Sequence, residues 1–125
     1  MSDNIIFSYS RQQALSDEVL VDVSVLAREA GFRIPVAVTE AVYRNYLNPS
    51  PELVREGQSL SGRAWDVLQV LLFAITVNPD LSCIQFKVLF ILTPGCSAEP
   101  VSLKAICGPG DEGEPVLTIL LPLED

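Results

Sequence analysis

Residues 61–77 read SGRAWDVLQVLLFAITV, and this stretch decides the fold. At 3.6 residues per turn, its apolar side chains cover nearly the whole circumference of a helix. A helix that is apolar all round is normally buried on several sides, so the pattern predicts the central helix of the core. Ser59 or Ser61 is a suitable N-cap, and residues 78–80 (NPD) would end the helix.

Three β-prone segments follow this helix, at about 83–92, 101–107 and 116–121. Their short connections contain proline and glycine, which favours an antiparallel meander. We therefore expect a two-layer α+β domain, in which the long helix (about 61–77) packs on the meander and shorter helices come from the N-terminal part. The residues predicted to form its core are Trp65, Leu68, Leu72, Phe86 and Phe90.

The first third of the chain has weaker periodicity. Residues 4–9 could form a short strand, and residues 19–23 are β-prone. Ser24 is a plausible N-cap for a helix over residues 25–30, and Gly31 stands where such a helix would end. This weak pattern leaves open which edge of the sheet these residues join.

Residues 34–38 predict an extended edge segment, because Pro35 cannot donate a hydrogen bond to a central ladder. Thr39 would cap a helix over about residues 40–47. The prolines and glycine that follow predict a mobile surface loop over residues 48–59.

Length and composition are those of one globular domain, residues 1–125. The chain is 49% hydrophobic and 19% charged, which is typical of a folded protein and not of a disordered one. The longest apolar stretch, Val67 to Val77, is shorter than the roughly 20 residues that cross a bilayer, so we expect no membrane-spanning segment.

Cysteine usage and the N-terminus predict a cytoplasmic location. The three cysteines, Cys83, Cys96 and Cys107, are odd in number, and their spacing fits no zinc pattern. We expect free thiols, with Cys96 the most exposed. Residues 1–7 contain an acid and no basic residue, unlike the start of a secretory signal.

The chain has no histidine. This absence excludes Ser-His-Asp and Cys-His catalysis, histidine general bases and most transition-metal sites. Asp66 could act as an acid or base only with a second placed group, which the sequence does not supply. We therefore predict no catalytic, cofactor-binding or metal-ligating residue, and no cofactor.

The formal net charge is −8, from sixteen acids and eight bases. Such a chain repels nucleic acids and anionic membranes, so we expect neither as a partner. A protein partner with a basic surface is compatible with this charge, and ordinary solubility explains it equally well.

The segment 108–115, GPGDEGEP, is the candidate interaction loop, through Asp111, Glu112 and Glu114. It begins an acidic end, because residues 105–125 contain no lysine or arginine. The favoured hypothesis is a non-enzymatic interaction protein that uses this end. The alternatives are a solvated hairpin turn, a weak cation site, and a small-ligand binder or enzyme using carboxylates. We expect either a monomer or a homodimer that forms through an exposed strand edge or an apolar patch.

Several stretches together resemble a family of small bacterial domains of unknown function, often carried on plasmids and phages. The most specific is residues 103–116, LKAICGPGDEGEPV. The others include residues 7–14 (FSYSRQQA), 27–33 (AREAGFR) and 62–68 (GRAWDVL), so the resemblance covers nearly the full length. It implies one intact domain and an accessory role in mobile-element biology, such as inhibition of a host protein, and no catalytic residue.

Overall fold

The computed structural model describes residues 10–124, which form a five-stranded sheet with helices on its faces. The elements, in chain order, are α1 (Arg11–Ser16), β1 (Leu20–Asp22), α2 (Ser24–Ala30), β2 (Val36–Thr39), α3 (Glu40–Val42, continued by a π-helical segment Tyr43–Leu47), α4 (Pro51–Arg55), α5 (Leu60–Val77), β3 (Cys83–Phe90), β4 (Glu99–Pro109) and β5 (Pro115–Leu120). The architecture is α+β, as the sequence predicted. The predicted strand at residues 4–9 lies outside the described residues.

The sheet is mixed, with strand order β1-β2-β5-β4-β3. Strands β3, β4 and β5 form the predicted antiparallel meander, but β2 pairs parallel to β5, with Val36 opposite Leu117. The prediction of an antiparallel meander is therefore only partly right, because the sheet as a whole is mixed. The chain leaves β2 through three helices and returns to it only with β5, a pairing that no short-range pattern encodes.

Strand β2 is internal, which corrects the prediction of an edge segment at residues 34–38. It lies between β1 and β5, and all four of its residues are buried. Pro35 comes just before the strand, where its carbonyl oxygen accepts a hydrogen bond from the Leu117 amide at 2.9 Å. The missing N–H of the proline therefore removes no bond from the ladder.

Helix α5 has one buried face instead of the predicted buried circumference. Ser59 is its N-cap and accepts from the Gly62 amide at 3.0 Å. The helix packs over β3, and its inner face carries Ala64, Val67, Leu68 and Leu71. Phe73, on the outer face, is 71% exposed, because no further layer covers that side among the described residues.

Trp65 is the main correction to the predicted core. Its side chain is 37% exposed, because it lies one residue past the buried Ala64 and so points away from the sheet. Leu72 is half-buried beside Gly31 of the α2 terminus. Leu68, Phe86 and Phe90 are buried in the core.

By length and composition, α5 could also cross a membrane, whereas counting the apolar stretch predicted no such segment. In this fold it covers the sheet and supplies four core side chains. Arg63, in its first turn, is also buried, and its guanidinium donates to the carbonyl oxygens of Tyr46 (2.7 Å) and Ile91. These contacts belong to the core helix of a folded domain.

Thr39 and Gly31 mark helix ends as predicted, whereas Ser24, the predicted N-cap of α2, is the first residue of that helix and Val23 is its N-cap. Thr39 accepts from the Val42 amide at 3.3 Å, and Gly31 ends α2 with a φ of 119°, in the left-handed region. The predicted loop over residues 48–59 contains α4, which corrects that prediction. Ser50 caps this helix and Pro51 occupies its first turn, a position where a missing N–H costs nothing.

Candidate functional site

The candidate loop forms a tight turn between β4 and β5. The Gly110 amide donates to the Glu114 carbonyl oxygen at 2.6 Å, and Gly113 has a φ of 85°, which favours glycine. The Glu114 carboxylate accepts from the Glu112 amide at 2.9 Å. Two of the three predicted acids therefore meet within the turn, and both are exposed.

Asp111 points out of the turn towards α1, a hundred residues earlier in the chain. Its two carboxylate oxygens accept from the amides of Arg11 (2.7 Å) and Gln12 (2.9 Å), the first residues of α1. These bonds hold the pKa of Asp111 below its usual range, the Gln12 amide having the largest effect and the Arg11 amide the next. Asp111 thus fastens α1 to the turn.

Arg11 makes the second connection between α1 and the sheet. Its guanidinium donates to Thr118 Oγ1 at 2.8 Å and to the Leu117 carbonyl oxygen at 2.9 Å. Burial lowers the pKa of Arg11, and nearby acids, among them Asp22 and Asp111, partly oppose this effect. Two of its donors are therefore engaged by β5.

Glu124 brings the C-terminal end to the start of α3. Its Oε1 accepts from Thr39 Oγ1 at 2.7 Å and from the Leu121 amide at 2.9 Å. Glu40, the next residue after Thr39, forms an ion pair with Arg44 one turn later. Glu124 is therefore bound to the residue that precedes Glu40, although the two acids are 84 residues apart in the chain.

These elements enclose an open cleft of about 790 Å³ at the β1 side of the sheet. Its walls carry five carboxylates, those of Asp17, Glu18, Glu40, Asp111 and Glu124. Arg11 is the one cationic residue among the lining residues. Buried Ala14 and Leu120 contribute apolar surface, so the cleft combines an apolar patch with an acidic rim.

Glu18 is held in an unusual conformation at the wall of this cleft. Its φ is 61°, and it is the one non-glycine residue with a positive φ in residues 10–124. The turn after α1 requires this, because the Val19 amide returns to the Ala14 carbonyl oxygen at 2.9 Å. Glycine is the usual residue in such a position, so a glutamate here places a carboxylate at some conformational cost.

The described residues contain no group of three or more histidine, cysteine or acidic side chains arranged to hold a metal ion. All three cysteines are free thiols, and Cys83 and Cys96 are exposed. Cys83 lies on the exposed face of β3.

Residues 1–125 match a family of unknown function (DUF6573). The chain belongs to this family. The match agrees with the full-length resemblance to a family without an assigned activity. No curated protein and no solved structure matches the chain.

In this member of the family, the fold divides the predicted interaction loop. Asp111 lines the cleft, whereas Glu112 and Glu114 do not. The sequence did not predict that Asp17, Glu18 and Glu40 lie at the same site. The cap residue Thr39 predicts that Glu40 lies in the first turn of a helix. No local sequence pattern predicts the position of Glu18.

Proposed function

We propose that this protein is a non-enzymatic interaction domain whose acidic cleft binds a cationic segment of a protein partner. The observation that supports the proposal most directly is the convergence of five carboxylates and one arginine on a cleft of about 790 Å³. The residues come from α1, the turn after it, the start of α3, the β4–β5 turn and the C-terminal end.

The chemistry of the rim favours lysine or arginine side chains. A carboxylate can accept several hydrogen bonds, and the two bonds to Glu124 within the described residues both reach Oε1. Charge-assisted bonds from a guanidinium or an ammonium are stronger than neutral ones. The net charge of −8 would also speed the approach of a basic partner at low salt.

The biological setting is part of the same proposal. The family resemblance favours a bacterial protein of plasmid or phage origin, and a small acidic domain could inhibit a host protein by covering its basic surface. We place this function in the cytoplasm, which suits three free cysteines.

A charge-matched pair of variants tests the cleft. The double variant Glu18→Gln with Glu40→Gln removes two cleft acids, and Glu112→Gln with Glu114→Gln removes two acids outside it. Binding of a blocked arginine-rich peptide, measured by titration calorimetry at low and high salt, should weaken at least tenfold in the first variant. It should change about threefold or less in the second.

The outcomes separate the possible sites. Equal losses in both variants would mean that net charge alone attracts the peptide, and a larger loss in the second would assign binding to the β4–β5 turn. Affinity purification from the native host, with mass spectrometry, should then recover a basic protein at low salt with the wild type and much less of it with the cleft variant.

A small organic cation is the second candidate ligand, because the cleft volume lies in the range of small-molecule pockets. Titration with a polyamine tests it. Binding that is tighter than that of the arginine-rich peptide and is lost in the cleft variant would favour a ligand-binding domain.

A further inference from the structure

Within residues 10–124, the outer edge of β3 has no partner strand and presents unpaired backbone groups at alternate residues. Strand β3 is the last strand in the order of the described sheet. The Ser82 carbonyl oxygen accepts from the Cys107 amide at 2.8 Å, and Ile84 pairs with Ala105, two residues further along each strand. Even-numbered residues of β3 therefore bond to β4, because an antiparallel ladder alternates. The outward N–H and C=O groups belong to Cys83, Gln85, Lys87 and Leu89.

The side chains of these four residues are also exposed, on the face of the sheet opposite α5. This face carries Lys87 and Lys104, which are the two lysines of the whole chain. Lys104 is directly opposite Gln85, so the two lysines are diagonal neighbours. Neither lysine pairs with an acid among residues 10–124. The β3–β4 part of this face is therefore cationic, although the protein as a whole is acidic.

An apolar flank lies over the same edge on the other face. Leu72 contacts Gly31 and so marks the side of α5 that faces α2. At about 100° per residue, Val70 and Val77 lie about 160° and 140° away from Leu72, on the side beyond β3. Phe73 is beside them at 71% exposure, and Val77 is 58% exposed.

We propose that β3 pairs with an extended segment of a protein partner that alternates acidic and apolar side chains. Four outward-facing residues supply the backbone hydrogen bonds, as in other cases of strand addition. The acids of the partner would lie beside Lys87, with Lys104 one strand further in, and its apolar side chains would pack under Phe73 and Val77. This surface adjoins the acidic cleft, because Lys104 pairs with Leu120 of the cleft lining, but it selects the opposite charge.

A second copy of the chain fits this edge less well. Two copies would bring together a net charge of −16 (2 × −8), and their β3 strands would supply lysine where the site favours an acid. A lysine on an edge strand also discourages pairing between identical edges. With an acidic partner, the lysine at this edge is attracted to the partner's carboxylates.

The test uses the full chain and a blocked eight-residue peptide that alternates glutamate and valine. Amide resonances of Gln85 and Lys87 should shift on titration, and the same peptide with lysine in place of glutamate should bind at least tenfold more weakly. Gln85→Pro, which removes an outward N–H, should reduce glutamate-peptide binding at least tenfold. Thermal unfolding checks that this variant remains folded.

A charge reversal keeps the test decisive if the proline variant does not fold. Lys87→Glu should reverse the preference between the two peptides, whereas Arg33→Glu, an equal change at an exposed position after α2, should not. The proposal would be overturned if neither of the two peptides binds, or if all variants bind them equally. So would slow hydrogen exchange at Gln85 and Lys87 in the free monomer, or a doubled mass by light scattering, since the edge would already be paired.

Discussion

The β1 edge and the β3 edge of the sheet differ in charge, although both belong to one acidic chain. The β1 side carries a cleft with five carboxylates, whereas the β3 side carries both lysines and an apolar helix flank. A net charge of −8 describes neither surface. The comparison shows that the distribution of a few charges, and not their sum, decides which partner each surface can accept.

Each side is also anchored by one arginine that donates to backbone carbonyl oxygens. Arg11 ties α1 to β5 on the cleft side, and Arg63 ties the start of α5 to the end of α3 and to the residue after β3. Arg63 is 4% exposed and lies 5.6 Å from the centre of the Phe90 ring. Arg11 is only half-buried, so we expect its loss to cost less free energy of unfolding than the loss of Arg63.

The largest effect is expected from Arg63→Leu, which leaves two carbonyl oxygens without their partner. We expect a loss of about 3 kcal/mol in the free energy of unfolding, since unpaired buried polar groups cost about 1–3 kcal/mol each. Arg11→Leu should cost less, about 1–2 kcal/mol. Urea denaturation measures both, with the exposed Arg33→Leu as the control. Equal costs for Arg11 and Arg63 would contradict the comparison.

The next effect concerns Asp111 and depends on pH. Because its pKa is lower in the folded state, its contribution to stability is present above the unfolded pKa of about 3.9 and is lost as pH falls through the folded value. Asp111→Asn should therefore destabilise the protein at pH 7, and the difference from the wild type should shrink in acid. Thermal unfolding from pH 7 to pH 2 measures this. If the stability difference between Asp111→Asn and the wild type does not depend on pH, the charge of the Asp111 carboxylate is not what stabilises the fold.

A smaller effect is expected from Glu18→Gly. Glycine removes the cost of the positive φ but makes the unfolded chain more flexible, so stability should rise by between zero and about 1 kcal/mol. Binding of the arginine-rich peptide should weaken, because a cleft carboxylate is lost. Urea denaturation and calorimetry of the same sample compare the two effects. A loss of stability would show that the Glu18 side chain itself supports the fold.

The smallest effect on stability is expected on the β3 side, from Phe73→Ser. This side chain is 71% exposed, so the free energy of unfolding should change by less than about 0.5 kcal/mol. Binding of the glutamate–valine peptide should nevertheless weaken severalfold. If Phe73→Ser unfolds the protein instead, the flank belongs to the core and is not available to a partner.

The prediction of Trp65 as a core residue shows where periodicity misleads. A stretch that is apolar all round predicts burial all round, yet the helix packs on one layer and leaves Trp65 and Phe73 outside. The loop prediction erred similarly at residues 48–59, where Ser50 and Pro51 together begin a short helix. In each case the local preference of the residues was identified correctly, but the sequence did not predict which other residues they would contact.

The sequence by itself determined the features that depend on near neighbours. Ser59, Thr39 and Gly31 mark helix ends because a cap bonds to amides or carbonyls within one turn. The β3–β4–β5 meander follows from alternation and short connections. Only the tertiary structure decided the parallel β2–β5 pair, the contact of Asp111 with α1, and the meeting of five carboxylates in one cleft. These depend on residues 80 to 100 positions apart, whose meeting is set by the packing of the whole core and leaves no trace in local periodicity.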